Sequence, residues 1–301
     1  MATSAHAQLA QPNGFKDTLK AYLELAKPRI VLLLSMTNLT AIFIAADGRP
    51  DLITLLLTLF GGALAAGGSA ALNQFFDRDM DARMNRTARR PIPSRRISPT
   101  NALLFGLALL AWSTAILSLV NVLAALLALG GAVYYVVIYT LVLKRNTVLN
   151  ILIGGGAGAM PVLVGWAAVT GSLNFEAWLL FAIIFFWTPP HSWALALLVN
   201  TDYARANVPM MPVARGEAAT RQQILYYSIQ LVLISLLPSF FGTLGAIYTL
   251  AALVLGSLMV WMAVKLLQYK DGATARATFR YSNMYLALLF LAMIIDKLLL
   301  S

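Results

Sequence analysis

Asp77, Asp79 and Asp81 fall within five positions of a chain otherwise hostile to charge, 60% hydrophobic and only 11% charged. They stand in the polar block Asn73–Pro91, which also carries Arg78, Arg83, Arg86, Arg89 and Arg90 and directly follows the apolar, small-residue run Leu52–Leu72. Asn73, Asp77 and Asp81 are spaced i, i+4, i+8, so on a continuing helix they form a stripe with about 6 Å between members. Oxygen ligands of this kind suit Mg²⁺, which is usually held by one or two carboxylates while substrate phosphates and water complete the shell. The arginines can fork onto phosphate oxygens, a geometry that lysine does not reproduce. The bland alternative is a positive loop with incidental salt bridges. Against it, a carboxylate stripe that begins within a membrane-length span is expensive.

Further positions could join that chemistry. The segment Asn200–Gly216 carries Asp202 at a metal-plausible position, with Tyr203, Arg205, Asn207 and Arg215 beside it. Read alone it is an ordinary connector; facing the first block, it becomes the second half of a diphosphate site. Lys144 and Arg145, after Tyr135 and Tyr139, are either snorkelling anchors or further contacts to the same anion. Residues 187–193 read Trp-Thr-Pro-Pro-His-Ser-Trp. Pro189 and Pro190 lack donors and clash with the carbonyls of Phe185 and Phe186, which predicts a kink with freed backbone groups lining a cavity. His191, just past that point, is a buried hydrogen-bonding residue supporting the kink, an axial contact to a metalloporphyrin, or a proton handler. The run Gly154–Gly158 lacks the context of a phosphate loop and reads as a close-packing helix face, as do Gly61, Gly62, Ala65, Ala66, Gly67 and Gly68.

What positions these residues is a stack of apolar segments. Nine stretches, roughly 29–46, 52–75, 101–120, 122–143, 148–169, 175–199, 223–242, 245–267 and 281–299, are long enough to cross a hydrocarbon core of about 30 Å as helices. The fold class expected is therefore all-α: a polytopic membrane bundle of nine helices around a central cavity. Only Asn121 and its neighbours separate the third span from the fourth. With the N-terminus inside, Lys and Arg concentrate in the inside segments and only Arg49 and Lys297 lie outside. The N-terminus and the active-site loops would then face the cytoplasm, with the C-terminus outside. The net charge of +10 is split over these loops, so it marks topology and an anion site rather than nucleic-acid binding.

Residues 1–28 read as a cytoplasmic arm without a cleavable signal, polar and expected to be disordered around His6. The arm ends in an interfacial helix with Phe15, Leu19, Tyr22, Leu23 and Ala26 on one face. Residues 29–301 form the membrane domain. Its Asp-bearing loops after spans two and six emerge on the same side, as in two four-helix halves plus a ninth helix. The absence of cysteine removes disulfides, thiolate ligands and thioether haem attachment. The arm is too short and too poor in arginine for a mitochondrial transit peptide, which favours a bacterial inner membrane.

These motifs resemble the intramembrane prenyltransferase superfamily that includes 4-hydroxybenzoate polyprenyltransferase, and within it the branch that farnesylates haem. The resemblance rests on Asn73–Pro91, the Leu-Lys-Arg-Asn-Thr run from Leu143 to Asn150, Gly154–Pro161, Trp187–His191 and Asp202–Met210, and covers residues 27–216. It implies that farnesyl diphosphate and haem B give haem O and diphosphate. Mg²⁺, held by Asn73, Asp77 and Asp81 with Asp202 opposite, would bridge the diphosphate oxygens. Arg78, Arg83, Arg86, Arg90, Lys144, Arg145 and Arg205 would bind the leaving group, with Asp77, Asp81, Arg78, Lys144 and Asp202 central to catalysis. Trp187 and His191 would orient the haem. It also raises a haem A synthase or a terminal oxidase as an assembly partner, beside the lipid of the membrane.

Quinone-type members usually carry a second acidic residue where this chain has Ala206, which favours the haem branch and weakens the second motif as a metal site. Asn207 stands where the haem branch often has glycine, a departure that bears on the loop's backbone. The rivals are a quinone-precursor prenyltransferase, a secondary transporter of anionic substrates, and a haem-binding assembly factor without catalysis.

Overall fold

The computed structural model describes residues 14–300, so His6 and most of the polar arm lie outside the described residues. The chain begins with α1 (Phe15–Ala26), α2 (Pro28–Ala45), α3 (Leu52–Phe76), the single turn α4 (Arg78–Asp81), α5 (Pro99–Ser118) and α6 (Val122–Val133). Tyr134–Leu143 is then π-helical and runs into α7 (Lys144–Asn146). After it come α8 (Asn150–Thr170), α9 (Phe175–Leu198), the short α10 (Asn200–Arg205), α11 (Met211–Phe240), α12 (Ala246–Tyr269) and α13 (Gly272–Leu300). No strand occurs among the described residues.

Nine of these segments are long and apolar enough to cross a membrane, counting α6, the π-helical stretch and α7 as one, Val122–Asn146. Their outer walls present Leu32, Phe60, Trp112, Leu126, Leu233 and Leu250, all exposed, as a surface that faces lipid. The chain is an integral membrane protein. Helices α11 and α13 begin well before the spans expected at 223 and 281. Hydropathy reads the crossing length, whereas a helix continues into water as long as its residues favour it, as Thr274–Arg280 do.

Local signals explain the boundaries. Asp51 caps α3 by accepting the Thr54 N–H at 2.8 Å, and Ser98 caps α5 through the Asn101 N–H at 3.1 Å. Asn121 closes the three-residue gap between two spans: its Oδ1 accepts the Ala124 N–H at 2.8 Å, while its Nδ2 donates to the Ala167 carbonyl on α8, also at 2.8 Å. Lys27 adopts a left-handed conformation (φ 53°) that turns the chain from α1 into α2, with Pro28 as the first helical residue. Helix α1 buries Ala21 and Leu25 against the bundle and leaves Phe15, Leu19 and Leu23 exposed, as an interfacial helix would.

Packing is close where the small residues lie. A Cβ on Gly68 would come within 2.8 Å of the Gly106 carbonyl on α5, and one on Gly155 within 3.0 Å of Thr188 on α9. Helix α13 packs against α12, α9 and α2, so it closes the bundle between its last and first spans. At the end of the bundle away from the polar block, the buried Asp296 of α13 accepts the N–H groups of Gly245 and Tyr248 at 2.5 and 3.0 Å. That carboxylate occupies the positive end of α12.

Helix α9 is continuous from Phe175 to Leu198 through Pro189 and Pro190, so the two prolines do not interrupt it as a helix. Both prolines are buried, and the Thr188 hydroxyl donates back to the Ile184 carbonyl at 2.9 Å. Tight packing of α8, α11 and α13 around this helix holds the chain on a helical path despite two missing donors.

Candidate functional site: a buried carboxylate layer over an apolar cavity

Helix α3 stops at Phe76 and delivers Asp77 as its C-terminal cap. The Asp77 N–H still donates to the Asn73 carbonyl at 2.9 Å, and the Asp81 N–H to the Asp77 carbonyl at 2.7 Å. The expected stripe thus survives as hydrogen bonding while the helix tightens into the α4 turn. Asp77 is fully buried. Its Oδ2 accepts from Asn73 Nδ2 at 2.9 Å and is paired with the Lys144 ammonium. Its Oδ1 is buried with no hydrogen-bond partner, with Arg145 Nη2 3.7 Å away.

Around this carboxylate the structure gathers several of the expected residues. Asn73 also donates to the Thr140 hydroxyl at 3.0 Å, and its Oδ1 accepts from the Lys27 ammonium at 3.0 Å. Asp81, buried, is held by Arg90 Nη1 at 2.8 and 2.7 Å. Arg145 forks onto the exposed Asp79 at 3.0 and 2.9 Å and donates to the Phe76 carbonyl. That fork, ahead of other causes, holds the Asp79 carboxyl below its ordinary range.

Asp202, on α10, is buried and accepts the Arg86 backbone N–H at 3.1 Å and Arg205 Nη2 at 3.0 Å. Arg205 in turn reaches Asn85 at 3.3 Å. The two acidic loops therefore meet on one side of the bundle, joined by Asp202. Asn207 takes a left-handed φ of 54°, a conformation asparagine tolerates better than most residues, so the absent glycine is accommodated.

Other expected residues stay outside this layer. Arg78 is exposed, donates to the Phe75 carbonyl at 2.7 Å and lies 4.6 Å over the Phe75 ring. The Arg83 and Arg86 side chains are exposed as well. Among the described residues, no three His, Cys, Asp or Glu side chains form a group that could hold a metal. The carboxylates are instead engaged by cations: Lys144 on Asp77, Arg90 on Asp81 and Arg205 on Asp202.

Below the layer lies a cavity of about 300 Å³ walled by α2, α3, α6 with its π-helical continuation, α8 and α9. Lys27 lines its mouth; Ala65, Ala66, Gly154, Gly155 and Gly158 supply small walls, and Tyr135 and Tyr139 supply a broad one. The two tyrosines stack with their centroids 5.6 Å apart. The π-helical stretch sets them there, with the Thr140 hydroxyl donating five residues back to the Tyr135 carbonyl at 2.8 Å. Tyr139 packs directly where a Cβ on Gly154 would be, and Tyr134 covers Gly156.

Trp187 also lines the cavity, its indole N–H donating to the Ser282 carbonyl at 2.7 Å. His191 is not among the lining residues. Its ring stacks between Trp187 (4.3 Å) and Phe279 (4.8 Å), and its Nδ1 lies 2.8 Å from the Ser282 hydroxyl.

Three contributors escaped the sequence reading. Lys27 is indistinguishable in sequence from the other inside charges, yet burial, and then the neighbouring Arg90 and Lys144, pull its pKa from 10.5 down to about 7. Thr140 and Ser282 each sit in an apolar span, where only a three-dimensional neighbour gives the hydroxyl meaning.

The model of the UbiA prenyltransferase family matches residues 34–292, most of the chain. The chain belongs to that family. Among curated relatives, protoheme IX farnesyltransferase of Roseiflexus castenholzii is 49% identical over 99% of this chain, which spans only 57% of that relative's length. Protoheme IX farnesyltransferase of a Picosynechococcus species is also 49% identical, over 95% of this chain and 91% of its own. The solved structure of a UbiA homologue from Archaeoglobus fulgidus, bound to DMAPP and Mg²⁺, superposes with a TM-score of 0.65 at 18% identity, covering 90% of this chain and 98% of that one. At that identity, the structural likeness establishes the UbiA fold.

Proposed function

We propose that this UbiA family member transfers the farnesyl group of farnesyl diphosphate to a vinyl group of haem B, with addition of water, giving haem O and diphosphate. The observation that carries the reading is the crowding of Lys27, Lys144 and Arg90 around two buried aspartates at the mouth of an apolar cavity. Cations held this close repel one another, and a site that accepts that cost is prepared for an anion. The choice of farnesyl and haem rests on relatives near 50% identity that carry that name.

The residues fit a divalent cation. Asp77 offers a buried oxygen without a hydrogen bond, and Asn73 a neighbouring amide oxygen, the hard donors that Mg²⁺ takes. Asp77 and Asn73 would hold it, with Asp81 and Asp202 completing the donor set once Arg90 and Arg205 turn to the diphosphate. When bound, the ion neutralises charge on the diphosphate oxygens.

The chain's own residues do the rest. Lys27, Lys144 and Arg90 stabilise the leaving diphosphate as the allylic C–O bond breaks and its electron pair departs with oxygen. Arg145 and Arg205 flank them; Arg83 and Arg86 stand on the loop above. The π faces of Tyr135 and Tyr139 offer the developing allylic cation an attractive wall. The vinyl π electrons then form the new C–C bond, and water adds to the resulting cation and loses a proton. The apolar cavity keeps water from the allylic carbon before that point. Trp187, steadied by Ser282 and by the stacked His191, is positioned to orient the porphyrin. Positive-inside charge placement supports a reading with this layer and the N-terminus on the cytoplasmic side, in a bacterial inner membrane.

The test is mass spectrometry of haem after incubation of the purified protein with haem B and farnesyl diphosphate, with Mg²⁺ or with EDTA. A Mg²⁺-dependent product heavier than haem B by one farnesyl group and one water is expected. Intact haem B beside folded protein and intact farnesyl diphosphate would overturn the haem assignment.

A further inference from the structure

We infer that Asn38 is the length stop of the prenyl chamber, and that its amide, wedged between two glycines, selects three isoprene units over four. The inference deepens the proposed reaction and rests on it for the direction in which the chain enters.

Two helices rule off the chamber. Lys27, which caps α2, is followed on that helix by the lining residues Ile30, Leu34 and Asn38; on α3 they are Ala70, Ser69, Ala66, Ala65 and Gly62, below Asn73. The two rows start at the same polar level, where Lys27 donates to Asn73 at 3.0 Å. They also end together: a Cβ built on Gly62 would lie 2.7 Å from Asn38 Nδ2. From Lys27 to Asn38, and from Asn73 to Gly62, each helix rises about 16 Å. An extended chain advances about 1.2 Å per bond, as in extended polypeptide, so three isoprene units reach about 14 Å from the diphosphate oxygen and four reach about 19 Å. Three fit above Asn38; four do not.

The floor is built for this side chain. On its other flank a Cβ on Gly165 of α8 would come 2.6 Å from Asn38 Oδ1, and Ala41 is the next neighbour. Glycine at both positions leaves the amide space that any larger side chain would take. Asn38 is 2% exposed, and its Oδ1 is buried without a hydrogen-bond partner. An unpaired amide oxygen in an apolar chamber is costly, and an apolar side chain would fill the space at no such cost. A fourth isoprene unit would have to expel the amide from its glycine slot.

The experiment compares wild type with Asn38→Ala and Asn38→Gly, each given farnesyl and geranylgeranyl diphosphate in competition with haem B, and reads the ratio of C20 to C15 haem products. Binding of the two thiodiphosphate analogues is measured in parallel without haem. A rise in the C20 to C15 ratio of tenfold or more, with a matching shift in analogue binding, is expected. Gly62→Ser, which pushes the amide into the chamber, should move preference the other way, toward geranyl diphosphate. Unchanged ratios in folded Asn38 variants, in both products and binding, would overturn the length stop. If wild type makes no haem adduct, the haem reading fails alone, and the binding ratio still decides the role of Asn38.

Discussion

The loop after α3 and the loop after α9 are both acidic and lie on the same side of the bundle, yet they hold their carboxylates differently. Asp77 sits at the end of a membrane-spanning helix, fully buried, with one oxygen committed to Asn73 and Lys144 and the other without a hydrogen bond. Asp202 has both oxygens in use, one on the Arg86 N–H and one on Arg205, which is half exposed. A carboxylate with a spare buried oxygen is poised to take a ligand. One satisfied by the backbone of the opposite loop is a latch. On the proposed reading the first loop supplies the principal metal donors, and Asp202 fastens the second loop to it until Arg205 is drawn to the diphosphate, which agrees with Ala206 standing where a second acidic residue would otherwise sit.

The most direct way to break this asymmetry is Asp77→Asn, which keeps the shape and removes the charge. Haem O formation should fall by about 10³-fold, the scale of losing a central electrostatic contact. Equal activity in a folded variant would contradict the distinction between the loops. Next comes Lys27→Met. A lysine that only marked topology could be replaced at no catalytic cost, whereas a diphosphate contact should cost about 10²-fold in kcat/KM. Steady-state kinetics with varied farnesyl diphosphate separate the two.

Asp202→Asn should retain an acceptor for the Arg86 N–H and lose the ion pair. The expected loss is about tenfold, the lower end for outer-shell positions. A drop as large as that of Asp77→Asn would make the second loop an equal partner in metal binding. The smallest effect belongs to Arg205→Ala. Its pairing with Asp202 is partly screened, so stability should change by about 0.2–1 kcal/mol at most, read as a small shift in detergent-solubilised Tm.

Sequence made the frame legible and the contacts only in part. Spans are written in run lengths of apolar residues, and Asn73, Asp77 and Asp81 stand out because charge is scarce around them. Lys144 and Arg145 were recognisable as candidates, though their partners Asp77 and Asp79 lie far away in the chain. Lys27 was not, because a lysine at a membrane boundary looks the same whether it meets a headgroup or Asn73. The doubled proline marks a stressed point but does not end α9, since the rule for an isolated helix ignores three packed neighbours that hold it together. The π-helical stretch has no hydropathy signature, because its side chains are as apolar as those of an α-helix. Arg78, drawn to Phe75, shows that membership of a basic run does not decide which way a side chain turns.

That π-helical stretch also fixes a phase relation along the span. Residues Tyr134–Leu143 close their hydrogen bonds one residue later than an α-helix does, so the stretch behaves as a retained one-residue insertion. Forcing it into α-helical hydrogen bonding at unchanged length would rotate everything that follows by about 100° relative to Tyr134. Lys144 would swing off Asp77 and Arg145 off Asp79, with no functional side chain replaced. The spacing of this span, as much as its composition, keeps the cations over the cavity.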